Sequence, residues 1–511
     1  MLDIQKKLTR SFFVLLSLPA TAMGFALSVQ ISALSWILAT KYHLEIDDIG
    51  LVWAAGPIAG ILGQVIFGII SDNVWFWGGR RRPFILIGGV FASLMLFALP
   101  SIDVISASMG LDGILGVAIA VALTLDFAIN VGFNPTRSII ADVTPEGVNR
   151  TKGYTWMQTI SGTFGVLAYA IGAIWNNYVL IYSGVVLVFL FTVLPPLLIK
   201  EPRSLSWDEE DDEAGPMDPH GRPLPEDMQE KLEVSASRGG GFSLPEIGKA
   251  IEPLWGFLIY AVYALARRLI GFDLGHYYVE FACAAFTIFL IGKALMTSEA
   301  GKSKEEAGMI GFKKVLAAHS FSWIGVQSMF IYMFPYVEQK LPALTEVDMG
   351  RVVSWSFLVL NAVGAILPAF VLEPITEKIG RVKTHMGCLV IMTLGYAGLL
   401  FFGFTPGVIY AMMAVTGVGW AAIVSLPFAI MSQKVDQAKM GLYMGLFNLS
   451  VVLPQLVASL GVGDELEKAP DKSLLFIICT VTLAISAAAW FLVKEDEGGD
   501  GGAVPPGGGG H

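Results

Sequence analysis

The feature that most constrains this chain is a set of long segments without a single charged residue. No Asp, Glu, Lys or Arg occurs from Ser11 to Thr40, from Ile49 to Ser71 or from Gly153 to Ile199. About 20 apolar residues suffice for a helix to cross the hydrocarbon core of a bilayer, so each segment can cross at least once. Only 15% of the residues are charged, against roughly a quarter in soluble domains. The sequence therefore predicts an all-α membrane protein that crosses the bilayer many times.

Hydropathy places the apolar segments in two sets, which predict two six-helix bundles. The first set covers about 11–40, 48–71, 83–101, 110–135, 153–176 and 178–199, and the second covers 314–337, 349–372, 384–403, 406–432, 440–463 and 473–493. The predicted domains are an N-terminal bundle (1–200), a cytoplasmic linker (201–310), a C-terminal bundle (311–495) and a flexible tail (496–511).

The linker has an acidic part, which its composition predicts to be disordered, followed by two further apolar stretches. These stretches lie at about 251–270 and 277–298. Either both cross the membrane or both lie on its cytoplasmic surface as apolar or amphipathic helices, because both arrangements keep the parity of the second bundle. Their short lengths slightly favour the surface arrangement.

Basic residues predict the orientation, because Lys and Arg favour cytoplasmic loops. The N-terminal Lys6, Lys7 and Arg10 fall on the same side as the arginines after the second, fourth and sixth segments. The alternate loops, such as the one around Glu45, are acidic or neutral. We therefore expect a multi-pass protein of a cell's inner (cytoplasmic) membrane with both termini in the cytoplasm.

Both halves carry the same loop pattern after their second apolar segment, an acid followed by Gly-Arg-x-basic. In the first half it is Asp72 followed by Gly79-Arg80-Arg81-Arg82, and in the second half Glu377 followed by Gly380-Arg381-Val382-Lys383. Positive-inside anchoring explains the arginines, but it does not explain the acid and the glycine. We expect a cytoplasmic gate formed by the acids and arginines of this pattern, Asp72, Arg80, Arg81, Arg82, Glu377 and Arg381, together with Arg137 and Asp142 from the loop after the fourth segment.

One acid lies within the predicted spans at membrane depth. Asp126 has uncharged sequence back to Asp112 and forward to Arg137. A carboxylate at this depth costs several kcal/mol unless it faces a cavity or is protonated, so such acids are functional by default. Asp126 suits a group that binds and releases a proton, and the alternative is a structural acid hydrogen-bonded to neighbouring helices.

Uncharged amides and tryptophans in the spans suit a sugar, because amides hydrogen-bond hydroxyl groups and indoles stack on the apolar faces of sugar rings. Asn130 and Asn134 share one helix stripe with Asp126. Any single amide is more often a contact between helices, which is worth about 0.6 kcal/mol. The predicted substrate-binding residues are Gln30, Asn130, Gln158, Trp323, Gln327, Asn361, Asn448 and Gln455.

Other classes of function lack a motif in this sequence. The three cysteines lie in apolar segments and are an odd number, which argues against a disulfide framework or a metal site. No nucleophile motif, phosphate-binding loop or metal-ligand spacing occurs. We therefore expect that the protein is not an enzyme, has no cofactor and binds no nucleic acid. The proton is the expected coupling ion.

Three stretches of the sequence resemble one known family. They are Leu51–Ile85 with its Arg-Arg-Arg-Pro-Phe ending, LDFAINVGFNPTRSIIAD from Leu125 to Asp142, and GLYMGLFNLSVVLPQLV from Gly441. They resemble the major facilitator superfamily and, within it, the sucrose–proton symporters of plants with their animal and bacterial relatives, the glycoside-pentoside-hexuronide type. The resemblance implies two pseudo-symmetric six-helix bundles, with Asp126 at the position of the family's proton acceptor. It also implies proton-coupled uptake of a disaccharide or other glucoside, such as sucrose or maltose, by alternating access.

The chain departs from this family at one functional position. The plant symporters carry an essential arginine in the fifth helix, whereas Gly153 to Ile199 contains none. A sodium-coupled or uncoupled carrier of the same fold, or a sugar sensor, therefore remains an alternative.

The protein is expected to function as a monomer.

Overall fold

The computed structural model describes residues 3–60, 70, 74–110, 113–145, 148–201, 244–275, 277–435 and 440–495. The predicted gate residue Asp72, the acidic part of the linker (202–243) and the predicted tail lie outside the described residues. Eleven helices in the described part are long and apolar enough to cross a membrane.

The described structure is built on long helices, because in lipid a helix satisfies all its backbone polar groups internally. We label α1 Arg10–Thr40, α2 Ile46–Trp53, α3 Arg82–Ala98, α4 Ile114–Val143, α5 Val148–Ile174 and α6 Asn177–Leu198 in the first half. The linker forms α7 Trp255–Ile270 and α8 Tyr278–Met296. The second half comprises α9 Lys304–Lys340, α10 Glu346–Leu367, α11 Arg381–Phe402, α12 Pro406–Lys434, α13 Met440–Val457 and α14 Leu474–Trp490.

Several helices begin where the sequence supplies a capping hydroxyl. The Oγ1 of Thr9 accepts the N–H of Phe12 at the start of α1, and Thr345 does the same for Asp348 at the start of α10. Such a cap satisfies a backbone donor that the first turn leaves unpaired. Single hydroxyl side chains thus fix the start of long apolar helices.

The two halves repeat one packing pattern. In the first half α1 packs against α5 and α6, and α3 packs against α4 and α6. In the second half α9 packs against α13 and α14, and α11 packs against α12 and α14. Five helices of the first half therefore have a counterpart in the second, which confirms the prediction of two pseudo-symmetric bundles.

The halves meet tightly at one end of the molecule. We call the bundle end with Arg10 the terminal end and the opposite end, with Thr40, the distal end. At the distal end the hydroxyl groups of Ser32 and Ser354 lie 2.8 Å apart. The Trp36 indole also donates to the carbonyl oxygen of Glu346, at 2.9 Å. These hydrogen bonds hold α1 of one half against α10 of the other.

Glycine allows this close approach of the distal end. A Cβ atom at Gly50 of α2 would overlap the carbonyl oxygen of Ser459, in the segment that follows α13. A Cβ atom at Gly350 of α10 would lie 2.8 Å from Nε1 of Trp36. The absence of a side chain at these positions is therefore a condition for closing the distal end.

The linker helices run the full thickness of the bundle in opposite directions. At the terminal end, Glu252 just before α7 accepts hydrogen bonds from Lys293 of α8, at 2.6 Å, and Lys313 of α9, at 2.7 Å. At the distal end Arg268 of α7 contacts Asp47 of α2. Both helices also meet the length and hydropathy expected of a membrane span. These contacts favour the spanning arrangement over the cytoplasmic-surface arrangement that the sequence slightly favoured.

Candidate functional site

A cavity of about 480 Å³ lies between the two halves. This volume falls within the roughly 300–1,000 Å³ of small-molecule sites. It extends from the middle of the helices toward the terminal end, and the contacts at the distal end close it on the other side. Its polar and aromatic lining residues are Gln30, Trp53, Asp126, Asn130, Asn134, Arg137, Trp323, Gln327, Phe330, Trp420, Phe428, Asn448 and Gln455.

Asp126 lies on the cavity wall and is 5% exposed. The Nε2 of Gln30 donates to its Oδ2 at 3.0 Å, and the backbone of Gly56 packs against its carboxyl group. Within the described residues no Lys, Arg or His forms an ion pair with Asp126. Among the described residues its carboxyl group is thus bound by the Gln30 amide and paired with no cation.

Four more predicted amides line the cavity. Asn130 donates to the backbone oxygen of Asp126 at 2.8 Å, one turn back along α4. From the second half, Gln455 donates to Oε1 of Gln327 at 3.2 Å, and Asn448 lies one to two turns before Gln455 along α13. Both halves thus present amide groups to the same space, as a site for a ligand with many hydroxyl groups requires.

Aromatic side chains form an apolar wall beside these amides. The Trp323 indole donates to Nε2 of the buried His319 at 2.9 Å. Its ring meets that of Trp420 edge-on, with centroids 6.1 Å apart, and Phe330 lies 5.4 Å from Trp420. The wall therefore offers rigid apolar surface whose polar edges are already hydrogen-bonded.

Two of the predicted substrate-binding residues lie outside the cavity. Gln158 is exposed on α5. The polar Thr155, Thr159 and Ser161 near it in sequence are spread around the helix, so they do not predict which face is turned inward. Asn361 accepts a hydrogen bond at 3.2 Å from the Trp420 indole. It supports a cavity residue from behind.

Sequence reasoning missed the cavity role of several residues, among them Arg137 and Trp420. Arg137, which we predicted for the gate, lines the cavity. Its spacing of eleven residues from Asp126, through Asn130 and Asn134, places it on the same helix face, so the stripe itself was the missed signal. Trp420 has no such signal, because only apolar and small residues surround it in the sequence.

The described gate residues other than Arg137 lie at the terminal end, and one ion pair forms among them. Nε of Arg81 and Oδ2 of Asp142 lie 3.0 Å apart, with both side chains less than a tenth exposed. This ion pair joins the residue before α3 to α4 within the first half. Glu377 is exposed and forms no ion pair with a described residue.

Two acids that sequence reasoning missed accept hydrogen bonds from the backbone N–H groups of the gate arginines. Glu201 accepts the N–H groups of Arg80, Arg81 and Arg82 at 2.6–2.9 Å. In the second half Glu495 accepts the N–H of Arg381 at 2.6 Å. The signal was the Lys-Glu pair that follows the last span of each half, at 200–201 and 494–495. These acids satisfy the first N–H groups of α3 and α11 at the positive end of the helix dipole.

We expect Asp142→Asn to lower the thermal stability of the protein markedly. It would remove the carboxylate charge that pairs with the buried Arg81 guanidinium, and breaking a buried ion pair costs roughly 3–5 kcal/mol. The melting temperature in detergent is the measurement. The double variant Arg81→Met/Asp142→Leu is the control and should recover most of the loss, whereas equal destabilisation of both variants would show that the pair's charge is not the cause.

Two pseudo-symmetric six-helix bundles around a central cavity, closed at one end, define a secondary transporter of the alternating-access type. A family model described as the Major Facilitator Superfamily matches residues 16–459. The chain belongs to this superfamily.

Individual relatives agree with this assignment. A sucrose transport protein of Arabidopsis thaliana is 22% identical over 494 residues, covering 88% of this chain and 83% of that protein. A general alpha-glucoside permease of Schizosaccharomyces pombe is 29% identical over 172 residues, so this match covers only 32% of this chain and 31% of the permease. The inward-open structure of the xylose transporter of E. coli superposes with a TM-score of 0.58 at 13% identity, over 96% of this chain and 97% of that one. This last likeness concerns the fold alone.

Proposed function

We propose that this protein is a proton-coupled symporter that takes up a disaccharide or other glucoside, such as sucrose or maltose. The observation that carries the proposal is the Asp126 carboxyl group, buried in the wall of the central cavity beside Gln30 and without a cationic partner among the described residues. A carboxyl group in this setting is best accommodated when it is protonated before the cavity closes. The relatives named for sucrose and alpha-glucoside transport support a sugar as the second cargo.

Alternating access supplies the cycle. With the terminal end assigned to the cytoplasm from the basic loops, the present state is closed to the outside. Asp126 takes a proton from outside in the opposite, distal-open state, sugar binds, the distal contacts form, and both cargoes leave toward the cytoplasm. The ion pair and the capped helix starts at the terminal end belong to the gate that closes in the other half of the cycle.

Purified protein in liposomes tests the proposal. We expect sucrose, maltose or another glucoside to accumulate above its external concentration only when the outside is acidic or the interior negative, and sugar addition alone to raise the pH of a weakly buffered medium. Uptake that requires sodium would show that sodium, and not the proton, is the coupling ion. Sugar entry without any ion flux would make the protein an uncoupled carrier, and sugar binding without counterflow would make it a sensor.

A further inference from the structure

Only one of the two polar atoms of the Gln30 amide has a hydrogen-bond partner among the described residues. Its Nε2 is hydrogen-bonded to Asp126, whereas its Oε1 is buried and has no hydrogen-bond partner among the described residues. The side chain is 1% exposed and lines the cavity. A buried acceptor without a donor is costly, so this oxygen is placed for a donor that arrives with a ligand.

The protonation state of Asp126 determines how firmly this amide is held. A hydrogen bond to a carboxylate is roughly twice as strong as one between neutral groups. When Asp126 is charged, Nε2 is therefore fixed on it. When Asp126 is protonated the bond weakens, and the amide is free to offer both its donor and its acceptor to a sugar hydroxyl group, which matches such a pair.

We propose that Gln30 is the coupling residue through which protonation of Asp126 raises the affinity for the sugar. The inference rests on the proposed function and adds to it the group that joins the two cargoes. Gln30 contacts Asp126 directly, and the other glutamines on the cavity wall, Gln327 and Gln455, bond to each other instead.

The ionisable surroundings leave Asp126 as the group that titrates here. On its own helix, Arg137 is the other ionisable group of the cavity. α1 carries no charged residue between Ser11 and Thr40, and α2 with the segment that follows it contributes Trp53 and Gly56. The described residues of the second half that line the cavity are uncharged, and His319 lies behind Trp323.

Sugar affinity measured across pH tests this role. In the wild type, the dissociation constant should fall as the pH is lowered through the titration of Asp126. Gln30→Met should bind about tenfold more weakly at low pH, the loss expected of one well-made hydrogen bond, and its affinity should not vary with pH. The matched control Gln327→Met should also bind more weakly but keep the pH dependence.

The outcomes separate this inference from the proposed function. A wild type that binds no sugar would contradict the function. A Gln30→Met variant whose affinity varies with pH as the wild type does would overturn the coupling role while leaving the symporter intact. Loss of the pH dependence in Gln327→Met as well would also overturn the coupling role of Gln30, because the effect would then not be specific to this residue.

A different observation concerns the linker helices α7 and α8, whose distal ends carry a charge cluster. Arg267 contacts Asp464 and, at 3.2 Å, Glu280 of α8. Arg268 contacts both Asp47 and Asp464. All five side chains are between 13% and 23% exposed. This distal charge cluster is therefore partly shielded from solvent, where ion pairs are stronger than on an open surface.

Arg268 joins the two halves through this cluster. Asp47 belongs to α2 of the first half, whereas Asp464 belongs to the short helix Gly463–Lys468 after α13 of the second half. One guanidinium group reaches both carboxylates only while the distal end is closed. The linker itself is anchored to the second half, because Tyr260 of α7 packs on Gly461 and Tyr277 accepts a hydrogen bond from Lys468 at 2.7 Å.

We infer that the linker helices act as a clamp on the distal gate, with Arg268 as the residue that stabilises the closed state. Separation of Asp47 from Asp464 during opening breaks one of its two contacts. The clamp therefore biases the protein toward the state that is closed to the outside, and it does so without contacting the cavity.

Distances between spin labels at Met109→Cys and Ala343→Cys report on the distal gate, since both positions are exposed and lie at the distal end of opposite halves. The native Cys283, Cys388 and Cys479 are buried. Arg268→Gln should raise the ratio of open to closed distal ends roughly fivefold, the upper range for an exposed ion pair. Lys293→Gln, which breaks a contact at the other end of the same helices, is the control and should leave the ratio unchanged.

Charge-reversal variants distinguish loss of the Arg268 contacts from a general folding defect. Arg268→Asp should open the distal end further, and Arg268→Asp combined with Asp47→Arg should restore the closed population. The clamp is overturned if Arg268→Gln keeps the wild-type distance distribution, if Lys293→Gln shifts it equally, or if the reversed pair fails to restore closure while its melting temperature matches that of the wild type.

Discussion

Asp126→Asn is expected to abolish uphill sugar accumulation while sugar exchange between the two sides survives. The asparagine keeps the size of the side chain and accepts the hydrogen bond from Gln30, but it cannot bind and release a proton. Without that step, the proton gradient no longer drives the cycle, and the internal sugar concentration stops at the external one. Accumulation of labelled sugar in liposomes under a pH gradient is the measurement, with counterflow as the measure of exchange.

A surface acid supplies the control for this variant. Asp103 is 44% exposed and pairs with Lys41 outside the cavity. Asp103→Asn should accumulate sugar as the wild type does. Full accumulation by Asp126→Asn would remove this residue from the coupling mechanism, and loss of counterflow together with accumulation would show that Asp126 is needed for sugar binding rather than for coupling.

Gly50→Val is expected to stop transport by holding the distal end open. Any side chain at this position meets the backbone of Ser459, which cannot move as a flexible side chain does. Reversing a population from 1:99 to 99:1 takes about 5.5 kcal/mol, and overlap with a packed backbone can supply an energy of this order. The distal distance between labels at positions 109 and 343 should then report the open state almost exclusively.

The matched control is a glycine that faces open space. A Cβ atom at Gly24 of α1 meets no atom within 4 Å, so Gly24→Ala should transport normally and keep the wild-type distances. If Gly50→Val transports at the wild-type rate with a closed distal end, close packing at this glycine is not a condition for closure.

Uncharged stretches and the repeated loop pattern carried enough information to predict the fold. The two bundles and the family resemblance are confirmed. The helices were predictable because a long uncharged segment in lipid must satisfy its backbone polar groups internally, as a helix does. The linker helices were harder to predict. Their apolar length fits both a span and a surface helix, and the contacts of Arg268 and Glu252 at opposite ends depend on residues more than fifty positions away in sequence.

The site was predictable where one helix carried several polar residues and not where a single residue stood alone. Asp126 and Asn130 share a stripe on α4 that pointed to the cavity, and the same stripe continues to Arg137. Gln158 is a single amide in an apolar helix, so its sequence context does not tell which face is turned inward. Trp420 enters the cavity only because α12 packs behind α9 and α10, a tertiary relation that periodicity does not encode.

Sugar-induced proton flux is the most direct measure of the central claim, that one buried carboxyl group carries the coupling proton. With the wild type in weakly buffered liposomes, adding the transported sugar outside should raise the external pH, and the same sugar added to Asp126→Asn should leave the pH unchanged. Sugar entry into wild-type liposomes with no pH change, or an undiminished pH change with Asp126→Asn, would contradict the account.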